Sequence, residues 1–264
     1  MDKKVNIAKE IAKNVLKTMS IILIIVTFAA LGFYVVNPRF SAGVCNQFGW
    51  KRAEISCYEL LYARNKDITD LYNLVVKLGN AEEYKKQNDY INKLQSLENY
   101  NDFCYNMDAS VISAYESGKL QAKNVVLLYG TNEYITSTTV VNLLKLGQYE
   151  DAYALVLSSK NNERTYELLV YYFVENLYAS NTAAEVKNNY FIKLKTDFSA
   201  YLTEKLNNLP TGTTGAAQLL ATYTNLKIKY TQYIIALQVS PDDVADRCFE
   251  WRVAQNDYNN LIAE

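Results

Sequence analysis

Two patterns of apolar residues divide the chain. From Thr18 to Pro38 no residue is charged, and Ile21 to Val26 is wholly aliphatic. At about 1.5 Å per residue such a run covers the roughly 30 Å hydrocarbon layer of a bilayer. It predicts a transmembrane helix over 18–38. Beyond it, apolar residues recur at helical spacing with charged residues between them. A helix is predicted over 41–65, with Phe48, Ile55, Tyr58, Leu61 and Tyr62 on neighbouring turns, and a short one over 68–78 that Gly79 stops. Others follow at 81–97, 102–117, 119–129, 132–146, 148–160, 162–180 and 182–207. Residues 208–215 are uncharged and rich in turn formers, so they read as a loop. Helices over 216–238 and 241–263 close the chain. The last is introduced by Ser240-Pro241-Asp242-Asp243: a capping serine, a proline in the first turn, and acids facing the helix dipole. With no strand-like alternation, the expected fold is all-α. The expected parts are a segment 1–17, the span 18–38, a helical domain 39–207, the loop, and a closing hairpin over 216–264.

Charge gives the span a direction. Lys3, Lys4, Lys9, Lys13 and Lys17 precede it, against Asp2 and Glu10. The positive-inside rule then places 1–17 in the cytoplasm and everything after Arg39 outside. A cleaved signal peptide is the rival reading, with small residues at Ser41-Ala42-Gly43, and it would leave a secreted helical bundle beginning near Val44. The apolar run is longer than the 7–15 residues of a signal core, and Arg39 and Phe40 sit in the cleavage region. A lipid on Cys45 is disfavoured by branched Val44 before it.

Composition excludes several kinds of chemistry. Residues 40–264 hold 21 Lys plus Arg and 26 Asp plus Glu, a net of −5, so no basic stripe follows a nucleic-acid backbone. There is no histidine, which removes Ser-His-Asp and Cys-His catalysis and the His-x-x-x-His zinc helix. No cofactor motif is present. Cys45, Cys57, Cys104 and Cys248 lack metal-ligand spacing. Cys45 and Cys57, twelve residues apart in one predicted helix, would lie about 18 Å apart, too far to bridge. A Cys57–Cys104 disulfide and a set of buried thiols both remain open.

One segment repeats. Lys77-Leu78-Gly79-Asn80-Ala81-Glu82-Glu83 matches Lys145-Leu146-Gly147-Gln148-Tyr149-Glu150-Asp151 at an offset of 68 residues, twice the 34-residue period of tetratricopeptide repeats. The second copy resembles the turn and second helix of such a repeat. On that resemblance Gly147, like Gly79, closes a helix, Tyr149 wedges between helices, and Ala152 permits close packing. The pattern departs at Ser113, midway, at Thr136 and Val140, and in lacking the closing proline. The resemblance implies a degenerate α-solenoid of antiparallel helices with a groove for a protein or peptide. Separately, Ala254-Gln255-Asn256-Asp257-Tyr258-Asn259 is similar to the final-helix motif of LemA-family proteins, which also carry an N-terminal membrane helix. That family's Leu-Ile-Pro-Asn segment has no counterpart here.

Tyrosine is the conspicuous excess, 23 residues, 22 of them beyond the span. Tyrosine supplies rigid contact area with a polar handle, and equally serves as filler between helices. Tyr134, Tyr166 and Tyr172 fall where the first helices of repeats would line a groove. Carboxylates such as Glu54 and Glu59 beside Trp50 could serve a glycoside hydrolase, yet Lys51 and Arg52 mark a solvated face. Gly212-Thr213-Thr214-Gly215 lacks the lysine of a phosphate loop. The expected function is a membrane-anchored, extracytoplasmic, non-catalytic scaffold of a bacterial envelope that binds a protein or peptide, without metal or cofactor. A cell-wall hydrolase is the alternative.

Overall fold

A computed structural model describes residues 2–121, 129–209 and 215–263. Most of the helix expected over 119–129, most of the loop 208–215, and the Gly212-Thr213-Thr214 run fall outside them. The described residues form twelve α-helices and a 3-10 turn, with no strand among them. The all-α expectation holds.

Helix α1 (Asp2–Val36) is continuous over 35 residues. Its stretch Lys13–Val36, mean hydropathy 2.6 and unburied, is long and apolar enough to cross a membrane. Its Ser and Thr hydroxyls are satisfied locally, which a lipid surrounding would favour. Thr18, Ser20 and Thr27 donate to the carbonyls of Asn14, Leu16 and Leu23 at 2.9, 2.9 and 2.7 Å. Asn37 ends the helix and its side chain accepts from the Phe40 amide of α2 (Pro38–Gln47), which Pro38 opens.

The chain divides into two compact units, Met1–Tyr90 and Ile91–Glu264, and the division falls inside α5 (Tyr84–Gln95). In the first unit the helix expected over 41–65 is two helices. α2 stops at Gln47, α3 runs Lys51–Asn65, and Gly49 turns between them at φ +69°. The left-handed backbone there favours glycine. The two helices pair closely, burying Ala42, Cys45 and Cys57, with Ala53, Tyr58 and Tyr34 packed around them. α4 (Ile68–Asn80) packs on α3 and buries Leu71, Leu74 and Leu78 completely. Asp67 caps it, accepting from the amides of Thr69 and Asp70. Two buried carboxylates each meet a cation: Asp70 with Arg39 at 2.9 Å, and Glu54 with Lys77 at 2.7 Å.

Gly79 does not stop α4. The helix continues to Asn80, and the left-handed residue beyond it is Glu82, φ +61°. Gly79 is small because Gln87 crosses it: a Cβ there would meet Gln87 Nε2 at 2.5 Å. That nitrogen donates to the Val75 carbonyl.

The second unit contains α6 (Tyr100–Glu116), α7 (Thr131–Lys145), α8 (Tyr149–Ser158), α9 (Glu163–Ala179), α10 (Ala184–Asn207), α11 (Gly215–Val239) and α12 (Val244–Ala263). Asp108 on α6 fixes the start of α7, accepting from both the amide and the hydroxyl of Thr131 at 2.7 Å. α7 packs on α8 and α9, α9 also on α8, α10 and α11, and α11 also on α6, α10 and α12. The core is continuous through Val140, Val156, Leu169, Phe173, Phe191 and Phe198. Gly147 makes a tight turn. At φ +74° it donates its amide to Leu144 while Gln148 donates to Leu143, closing α7. Ala152 is fully buried where α8 meets that core.

A candidate tyrosine face on α7, α9 and α11

α9 carries Tyr171, Tyr172 and Glu175, and α11 presents Tyr223, Thr224 and Lys227 one helical turn apart along its length. Packing α9 on α11 brings these groups together. The Lys227 ammonium donates to the Tyr171 hydroxyl at 2.7 Å and lies 4.0 Å from the Tyr171 ring centre and 4.8 Å from that of Tyr223. It is a cation in an aromatic cage. Burial holds its pKa below the ordinary lysine range, opposed by the charge of Glu175. Tyr171 is pushed far up, first by burial and then by a hydrogen bond to Glu175. Tyr129 extends the cluster: its hydroxyl donates to Thr224 at 3.1 Å and its ring meets Tyr223 edge-on.

The sequence-predicted residues are placed differently from one another. Tyr134 on α7 is 37% exposed. Tyr172 on α9 is half-buried, and burial followed by the neighbouring Tyr134 pushes it up to about 12. Both keep some exposure, on the packed helices α7 and α9, and Tyr172 meets the ring of Tyr171 edge-on. Tyr166 does not join them. It is 1% exposed, packed edge-on against Phe198 and Tyr201, so it has no surface to offer a partner. Helical spacing cannot separate the two cases, because Tyr166 and Tyr172 stand about 120° apart on a helix that is packed almost all round.

Tyr149 bridges α8 to the start of α10. Its hydroxyl meets that of Thr182 at 3.0 Å and its ring lies beside Tyr190 of α10. Further along the same seam Tyr190 donates to Glu150, Lys193 reaches the same carboxylate, and Tyr153 donates to Asp197. The Tyr190 and Lys193 bonds hold Glu150 below the usual carboxylate range.

Among the described carboxylates, Glu167 is the one held above its ordinary range, by burial. Tyr201 donates to it at 3.3 Å, and Glu163 one turn before pairs with Lys205. Glu54 and Glu59, read from sequence as a solvated face, are both ion-paired, to Lys77 and Lys86, and Trp50 stacks on Phe48.

Sequence reading missed a cleft lined by Lys195, Ser199, Gln232, Ser240, Asp243 and Arg247 together with apolar Leu202, Ile235 and Ala236. Its residues come from helices distant in sequence, and no local motif links them. Ser240 caps nothing with its side chain; its hydroxyl accepts from Lys195 instead. No family model, curated protein or solved structure matches this chain.

Proposed function

We propose that the chain is a membrane-anchored, non-catalytic scaffold whose helical domain stands outside the cytoplasm of a bacterial cell and binds a protein or peptide partner. The apolar stretch Lys13–Val36 and the lysines preceding it support the anchor and its direction. Its retention is supported by what lies around the alternative cleavage point. Arg39 pairs with buried Asp70, and Ser41 and Ala42 are buried inside α2. Cleavage near Gly43 would strip those contacts from a packed unit. The successive pairs α7–α8, α9–α10 and α11–α12, with Gly147 and Ala152 in their tetratricopeptide-like places, favour a stacked helical array.

The observation that carries the binding reading is that Tyr134 and Tyr172 keep exposed area on the packed helices α7 and α9, next to the Tyr171 ring that holds Lys227. The lysine fixes Tyr171, which packs edge-on against Tyr172, so Tyr172 is offered with little entropy cost of ordering it. Crosslinking in native membranes followed by partner identification tests this, with Tyr134→Ala/Tyr172→Ala as the control. A specific partner lost from a variant that melts normally supports the scaffold. Sugar release from purified cell wall, abolished by Glu167→Gln, would overturn it in favour of the hydrolase.

A further inference from the structure

The break at Gly49 reverses the expectation for the first two cysteines. In a single helix Cys45 and Cys57 would stand far apart; as a helical pair, α2 and α3 bury both thiols in one small cluster. Ala42 and Ala53, the small residues beside them, let the two backbones approach. Cys45 and Tyr34 of α1 neighbour Cys57 in that cluster. Of the two readings left open by the sequence, the structure has the buried thiols: Cys57 and Cys104 are both buried and free.

We propose that Cys45 and Cys57 are a dithiol that closes to a disulfide and clasps α2 to α3 beside the end of the apolar helix. The two cysteines differ in access. Cys57 is fully buried and Cys45 is 7% exposed. Cys45, the more accessible, is therefore the first nucleophile and Cys57 the resolving one; burial, then the neighbouring Cys45, pushes the Cys57 thiol up to about 11. The oxidant is an external disulfide, small-molecule or protein-borne. The Cys45 thiolate attacks one of its sulfurs, forming a mixed disulfide and releasing one thiolate. Cys57 then gives up its proton and attacks the Cys45 sulfur, forming the Cys45–Cys57 bond and releasing the second. Two thiols lose two electrons and two protons, and the external disulfide becomes two thiols. A poorly acidic thiol is a poor leaving group, so the closed bond resists reduction. That an oxidant reaches the pair in cells rests on the extracytoplasmic reading above; the pairing itself does not.

The test uses the full chain in detergent, treated with oxidised glutathione or with dithiothreitol, then denatured, alkylated and digested. After reduction all four cysteines should take up the alkylating agent. After oxidation two should, with the Cys45 and Cys57 peptides joined although Lys51 and Arg52 are cut between them. A Cys104→Ser/Cys248→Ser variant should keep the same link, and the oxidised protein should melt several degrees higher. Uptake at all four positions after oxidation overturns the proposal, as does a bridge through Cys104 or Cys248. Protein from acid-quenched cells separates the two readings. A link that forms in detergent, with both thiols free in cells, upholds the dithiol and overturns the external location.

Discussion

Arg39 donates to Asp70 at 2.9 Å across 31 residues, joining the first turn of α2 to the first turn of α4. The two ends of this bond differ. The Arg39 side chain is 75% exposed and that of Asp70 is 2% exposed, with Asn65 donating to the second carboxylate oxygen. Losing the arginine leaves a buried charge short of its cation, whereas losing the charge leaves an arginine in water.

Arg39→Ala should therefore cost more than Asp70→Asn. After discounting for the exposure of Arg39, about 2 kcal/mol against about 1 kcal/mol is expected. Denaturant unfolding of both variants and the double variant checks this; the double should cost less than the sum. Equal costs would show that the exposed arginine compensates nothing.

The two glycines of the repeated segment should respond differently. Gly147 has open space around it but a left-handed backbone, so Gly147→Ala should destabilise by about 1 kcal/mol and Gly147→Val by more. Gly79 is helical, where alanine gains about 1 kcal/mol of helix propensity but displaces Gln87 from its buried bond to Val75. Gly79→Ala should end within about 0.5 kcal/mol of the native protein by that reckoning. Ala152→Phe should overpack the crossing at a cost of about 1–3 kcal/mol. Melting temperatures decide, and equal tolerance at Gly147 and Ala152 would remove the case for a repeat there.

These residues also mark what was legible in the sequence. The helical period was readable nearly everywhere, and α7 to α10 begin and end within two residues of expectation. It misled between 41 and 65 because α2 and α3 bury faces in the same cluster, so apolar spacing runs on through the turn at Gly49. The repeated segment was real as sequence but not as one backbone: its glycine turns at 147 and packs at 79. Of the three groove tyrosines, Tyr134 and Tyr172 keep some exposure and Tyr166 is core. The Lys227 cage and the Lys195 cleft were invisible, since each joins helices whose pairing only the packed structure supplies.

Tyr166 predicts an uncommon gain. Its hydroxyl is buried with no hydrogen-bond partner, and an unmet buried polar group costs about 1–3 kcal/mol. Tyr166→Phe should stabilise the protein by about 1 kcal/mol. Tyr153→Phe, which loses the 2.8 Å bond to Asp197, should destabilise it. Thermal unfolding of the pair tests the contrast, and a loss on Tyr166→Phe would mean that the hydroxyl is bonded after all.

Stability should fail at alkaline pH. Burial pushes Tyr166 and Tyr172 up to about 12, and Tyr171 and Tyr223 further. The ordinary phenol value, near 10, applies once the chain unfolds. The folded state then binds more protons above pH 10, so this stability is complete below about pH 10 and lost as pH rises through 12. Each such tyrosine contributes a slope of about 1.4 kcal/mol per pH unit within that window. Lys227, held down by burial, acts in the opposite sense, one group against several. Tyrosinate absorbance should rise together with loss of helical circular dichroism. Ionisation of all tyrosines near pH 10 with the helices intact would refute the prediction.

The binding reading depends on an anchor that is kept and points outward. Intact cells treated with protease, followed by mass analysis of the fragment left in the membrane, tests both at once. The account predicts a protected fragment that includes residues 2–36 and ends shortly after the span, with the domain beyond Arg39 digested. A mature chain that starts near Val44, or a protected domain with its first ten residues removed, would contradict it.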